Sequence, residues 1–168
     1  MASVSRSWIL YAIVIAVILA TLPGAIRKIV QTGDLYLFTE RFFQDILARL
    51  SGPGRLRFIV QPTVAILLGI RSGMKDAQGN VPPFLQAFIF HRKHRREMLR
   101  SAIVSIRNLV AIAILLDIIS QFLIFREVRP GAALLVGPVL ITTPYILARE
   151  FTHRVARWRS RAPVTPIS

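Results

Sequence analysis

Leu109 to Phe125 reads LVAIAILLDIISQFLIF, an apolar run interrupted by one carboxylate, Asp117. Arg107 and Asn108 bound it on one side, Arg126 and Glu127 on the other. At about 1.5 Å per residue, with snorkelling flanks, a helix over this run can cross a bilayer. A second run, Ala132 to Ala148, follows after the short REVRPG segment, Arg126 to Gly131. The two predict a transmembrane hairpin. Gly137, Pro138 and Pro144 predict a kinked second arm.

Outward from this hairpin, the 168 residues are 54% hydrophobic with mean hydropathy +0.55, too apolar for a soluble domain of this length. There is no Cys, which excludes disulfides, thiolate metal sites and sulfur redox chemistry. The net charge of +14 is gathered between and after the apolar runs, as on the cytoplasmic faces of membrane proteins. This placement accounts for the charge without nucleic acid as a partner. Lys28, Lys75 and Lys93 are the only lysines, and the Arg bias suggests a GC-rich bacterial source.

The N-terminal half supplies a third spanning run, Trp8 to Ile26, read as an uncleaved anchor that ends or kinks at Pro23–Gly24. Asp34 is the expected N-cap of an amphipathic helix over residues 34–50. Leu35, Phe38, Phe42, Ile46 and Leu50 share one face of it, and Glu40, Arg41, Gln44, Asp45 and Arg49 the other. Such a helix either packs on the protein or lies in the membrane interface. Ser51–Gly52–Pro53–Gly54 ends it.

Residues 58–70, FIVQPTVAILLGI, are apolar but short for a span, and are expected to be re-entrant or interfacial. Arg71 to Gly79 reads as a polar loop. From Pro83 a basic helix is expected to run without interruption into the Leu109–Phe125 span, as one helix over 83–125. Residues 162–168 read as a disordered tail.

Charge counting sets the expected orientation. If 58–70 does not cross, eighteen basic residues share one face; if it crosses, the split is thirteen against eight. The positive-inside rule favours the first arrangement. The expected fold is therefore an all-α integral membrane protein with three transmembrane helices plus an amphipathic interfacial helix. Its N-terminus lies outside and its C-terminus in the cytoplasm. Four crossings with both ends inside is the alternative.

Two constellations stand out. Asp117 in mid-span costs about 2.5–3.5 kcal/mol and needs compensation. Ser120 and Gln121 lie one turn on, and Thr142 and Thr143 fall at matching depth on the partner arm. The leading expectation is a clamp between helices, a carboxyl kept neutral by burial and bonded to Thr hydroxyls. The other is a proton or cation relay. The second constellation is Arg92, Lys93, Arg95, Arg96 and Arg100, expected to bind anionic lipid head groups. His91 and His94 beside it have metal-ligand spacing, but the surrounding cations argue against a metal there. Glu97, Glu127 and Glu150 each sit beside Arg and are expected to form local ion pairs.

No HExxH, GxSxG or glycine-rich phosphate loop occurs, so no enzyme and no cofactor is expected. Arg57 to Leu85, RFIVQPTVAILLGIRSGMKDAQGNVPPFL, followed by a basic helix and an apolar hairpin, resembles small uncharacterised bacterial polytopic inner-membrane proteins. That resemblance covers about the last two thirds of the chain. It implies a multi-pass protein of the bacterial inner membrane and carries no activity. The expected role is an accessory or scaffold protein that meets anionic lipids and a larger membrane complex or itself. The alternative is an oligomeric transporter or channel subunit using Asp117.

Overall fold

In the computed structural model the described residues, 2–33, 37–52, 55–79 and 92–161, form five helices and no strand. Within them, the side chains of 2–6, 32, 92–95, 160 and 161 stay outside the description. The helices are α1 (Ala2–Thr32), α2 (Glu40–Ser51), α3 (Arg57–Gln78), α4 (Arg92–Phe125) and α5 (Pro130–Arg161). Among the described residues three stretches are long and apolar enough to cross a membrane: Ser7–Gln31, Arg96–Phe125 and Pro130–Arg159.

Local chemistry sets the helix ends. α1 runs through Pro23 instead of stopping there, and closes at Gly33, whose φ of +69° needs no Cβ to be tolerated. The Gly33 N–H donates to the Ile29 carbonyl at 2.9 Å. α2 starts at Glu40, not at 34, because Thr39 is the N-cap and accepts from the Phe42 N–H. Asp34, the expected cap, lies outside the described residues. Arg126 takes a left-handed conformation to close α4, and its N–H donates to Phe122 O at 3.0 Å. α5 opens on Pro130, whose missing N–H is no loss at a first helical position.

Two expected segments are corrected. The short apolar element and the polar loop, 58–70 and 71–79, are one 22-residue helix, α3. Nothing between Ile70 and Gln78 breaks a helix except Gly73, and Gly73 is where a neighbouring backbone approaches. The basic residues after the last apolar run likewise continue α5 to Arg161. The expected start of α4 at Pro83 and the tail from 162 lie outside the described residues.

The chain divides into two compact units. The first is Met1–Pro62 with Arg107–Ile141. Its core is Val14 of α1, Ala111, Ile114 and Ile118 of α4, and Ala133 of α5, flanked by Leu10, Tyr11, Val17 and Ile18. Small residues bring α4 and α5 close: a Cβ on Gly137 would sit 3.1 Å from the Ile114 nitrogen. The Tyr11 hydroxyl donates to Asn108, and Lys28 pairs with Glu127 at 2.5 Å. The two contacts advance together along both helices, so α1 and α4 run in the same direction.

α2 turns Phe42 and Arg49 inward, while Phe43, Leu47 and Leu50 stay exposed. One helix thus packs on the protein and presents an apolar stripe outward.

The second unit is Thr63–Ile106 with Thr142–Ser168. Within it α3 and α5 run parallel, Ser72 meeting Tyr145 and Asp76 meeting Arg149. A Cβ on Gly69 would lie 2.5 Å from the Tyr145 carbonyl oxygen, and one on Gly73 would collide with the Arg149 carbonyl. The two glycines, four residues apart, form the seam on which the helices touch.

Candidate functional site

The first unit carries a buried charge cluster on Asp117. A fully buried carboxylate must be paired, and the pairing comes from the α2–α3 corner. Arg49 lies in the last turn of α2 and Arg57 is the first residue of α3. Only five residues separate the helices, closed by Gly52 N–H to Ala48 O and Phe58 N–H to Arg55 O. Both guanidinium groups therefore reach one carboxylate.

Arg57 Nη2 stands 2.5 Å from Asp117 Oδ1, and Arg49 Nη1 3.3 Å from Oδ2. Gln121 Nε2 donates to Oδ2 at 2.7 Å, while its Oε1 accepts from the Arg129 N–H at 2.8 Å. Arg49 and Arg57 are 1% and 6% exposed, and Asp117 and Gln121 0%. The Arg49 guanidinium also lies 5.8 Å from the Phe125 ring centre, and that of Arg57 4.7 Å from Phe58.

The expected Thr clamp is corrected in its partners. The bonds of Asp117 go to two guanidinium groups and an amide, not to Thr hydroxyls. Of the expected cluster, Gln121 touches the carboxylate, and Ser120 is buried on the same helix. Thr142, half-buried, and Thr143, exposed, belong to the second unit.

Gln61 sits one turn after Arg57 on the same face of α3 and is 4% exposed. Neither its amide nitrogen nor its carbonyl oxygen has a partner among the described residues. Arg49 Nε and Nη2 and Arg57 Nε also make no hydrogen bond there.

The second unit has its own buried arginine. Arg149 binds Asp76 side-on, Nε to Oδ2 at 2.6 Å and Nη2 to Oδ1 at 3.1 Å. Its Nη1 donates to the Tyr145 hydroxyl at 3.1 Å, which donates in turn to Ser72. His153, one turn on from Arg149, is buried as well.

Around the turn from α4 to α5, Arg129 pairs with Asp45 at 2.5 Å and Glu127 with Lys28. Burial acts to raise the Glu127 carboxyl, but the hydrogen bond from Lys28 and the charge of Arg129 outweigh it and hold it below the usual carboxylate range. Glu150 pairs with Arg154 one turn on at 2.8 Å.

Of the expected lipid-binding residues, Arg96 and Arg100 are exposed; the side chains of Arg92, Lys93 and Arg95 lie outside the description. Among the described residues no group of three or more His, Asp and Glu could hold a metal ion.

Sequence reasoning missed Arg49, Arg57, Asp76 and Arg149. The usable signal was Asp117 itself, since a buried acid demands a buried cation. No family model matches the chain, and no curated protein or solved structure matches it.

Proposed function

We propose that this is a non-enzymatic, multi-pass accessory or scaffold protein of the bacterial inner membrane. It holds anionic lipid through its basic cytoplasmic side and a larger membrane complex, or a second copy, through its apolar surface. The observation that carries this is α1. Its spanning stretch is 6% buried within the chain, with Trp8, Ile9, Ile15, Leu19 and Val30 all exposed. A helix this apolar and this uncovered needs lipid or another protein on most of its circumference. Asp117, engaged on both oxygens, supports a structural role over a relay.

The parallel course of α1 and α4 favours the four-crossing alternative over three. If both cross, the chain between them must return from one face to the other. α3, with 22 residues and about 33 Å of length, is the described helix long enough to do so, though it is less apolar than the three spanning stretches. Its exposed Ile59, Val60, Ile66 and Leu67 suit lipid contact. Both termini then lie on the side with thirteen basic residues, the cytoplasm by the positive-inside rule.

The native chain has no Cys, so single cysteines report cleanly. Cysteine at exposed Arg41 reacts with an impermeant thiol reagent on intact cells, and cysteine at exposed Arg159 only after permeabilisation. The reverse pattern refutes the topology. For function, tagged protein purified gently from its membrane brings down a stoichiometric membrane protein or forms a defined homo-oligomer. Recovery as a lone monomer refutes the scaffold reading.

A further inference from the structure

The Asp117 cluster has two buried guanidinium groups for one buried carboxylate, and one of the two positive charges has no buried counter-charge in it. An uncompensated buried charge is among the most costly arrangements a fold can hold. The groups left over also share a shape. Nε and Nη2 of Arg49 form one complete side-on edge of a guanidinium, the edge that binds an oxyanion with two parallel hydrogen bonds. Arg149 uses that same edge on Asp76. Arg49 uses only Nη1 on Asp117. Arg57 Nε adds a third donor, and Gln61 adds one group that donates and one that accepts.

From this we infer that the α2–α3 corner is a binding site for one anionic phospholipid, entered by its phosphodiester and hydroxyl-bearing head group. The Arg49 edge and Arg57 Nε take the phosphodiester oxygens, and the Gln61 amide takes the head-group hydroxyls. The positive end of α3, which begins at Arg57, adds to the attraction. Free phosphate offers the same oxygens. A lipid is favoured because α2 carries Phe43, Leu47 and Leu50 exposed and α3 carries Ile59 and Val60 exposed on the two arms of the corner, where acyl chains can lie. The inference rests on the chain being embedded in a membrane, and on nothing about its protein partner. It is also separate from the basic cytoplasmic face, to which Arg96 and Arg100 belong.

The test uses the full chain, purified in detergent and stripped of lipid, with thermal unfolding followed by tryptophan fluorescence. The probes are phosphatidylglycerol, phosphatidylcholine and inorganic phosphate. Phosphatidylglycerol is expected to raise the melting temperature by several degrees more than phosphatidylcholine, and phosphate to give little of that increment. Gln61→Leu without lipid melts no lower than the parent, since it removes an unpartnered buried amide, yet it loses most of the phosphatidylglycerol increment. Arg49→Lys keeps the charge, removes the side-on edge, and loses the increment too. It serves as the second variant if Gln61→Leu does not fold. Arg96→Gln with Arg100→Gln retains the increment. Equal shifts from both lipids overturn the site, as does a full increment in Gln61→Leu. Phosphate alone giving the whole shift overturns the lipid as its source. Loss of the increment only in the Arg96 and Arg100 variant overturns this site while leaving lipid binding by the basic face intact.

Discussion

Replacing Asp117 by Asn changes one oxygen for one nitrogen and removes the counter-charge from two buried arginines. Arg49 and Arg57 are 1% and 6% exposed, so water cannot take over the lost role without opening the corner. Removing one partner of a buried ion pair costs about 3–5 kcal/mol, because the remaining charge stays buried. That corresponds to roughly a 150- to 5,000-fold fall in the folding equilibrium. Gln121 loses its carboxylate acceptor as well, but keeps its bond from the Arg129 N–H. Unfolding by a denaturing detergent titrated into mild-detergent micelles measures the difference. Removing all three charges together, Asp117→Leu with Arg49→Met and Arg57→Met, is expected to recover most of the loss, since apolar groups of similar volume often replace a buried ion cluster without cost. A loss below about 1 kcal/mol in Asp117→Asn, the size of an exposed pair, refutes the reasoning. So does a triple variant no more stable than the single one.

Three further outcomes follow from the same geometry. Gly73→Leu drives a side chain into the Arg149 carbonyl, and is expected to cost about 1–3 kcal/mol by overpacking; the same detergent titration reads it. Arg149→Lys keeps the charge but gives up the side-on pair with Asp76. Its expected cost is about 1.5–3 kcal/mol, and Arg149→Lys with Asp76→Asn, in the same assay, loses less than the sum of the two singles. Glu127 is held below the usual carboxylate range in the folded chain, so its contribution is complete above that range and fades as pH falls through the lowered value. Because the Lys28–Glu127 pair is partly exposed, Glu127→Gln is expected to change stability by less than about 1 kcal/mol at neutral pH, and by less still in acid, as melts across pH would record.

The long apolar runs made α1, α4 and α5 legible, since a stretch such as LVAIAILLDIISQFLIF has few alternatives to a spanning helix. The course of α3 was not legible by length alone. Thirteen apolar residues fall short of a span, and the rest of the helix, Arg71 to Gln78, is polar where Tyr145 and Arg149 of α5 supply Ser72 and Asp76 with partners. Periodicity therefore misread a helix that carries one buried charge pair as a loop. Arg49 shows the same effect on α2. Helical spacing put it on the polar face, opposite Phe42, yet both are buried, because the face that matters is the one Asp117 occupies sixty-eight residues later. Asp117 was visible as a demand for a partner. Which partner was not, since the Thr residues lay nearer in sequence than either arginine.

The Arg49–Asp117–Arg57 arrangement also imposes an order on synthesis. The two cations emerge from the ribosome about 60 residues before their anion, which at about 5–20 residues per second is several seconds of waiting. During that interval the corner between α2 and α3 has no internal counter-charge and cannot settle into apolar surroundings. Its docking must await the arrival of α4. A nascent chain halted before residue 117 thus presents two unneutralised arginines, a feature by which quality control could tell an unfinished molecule from a finished one.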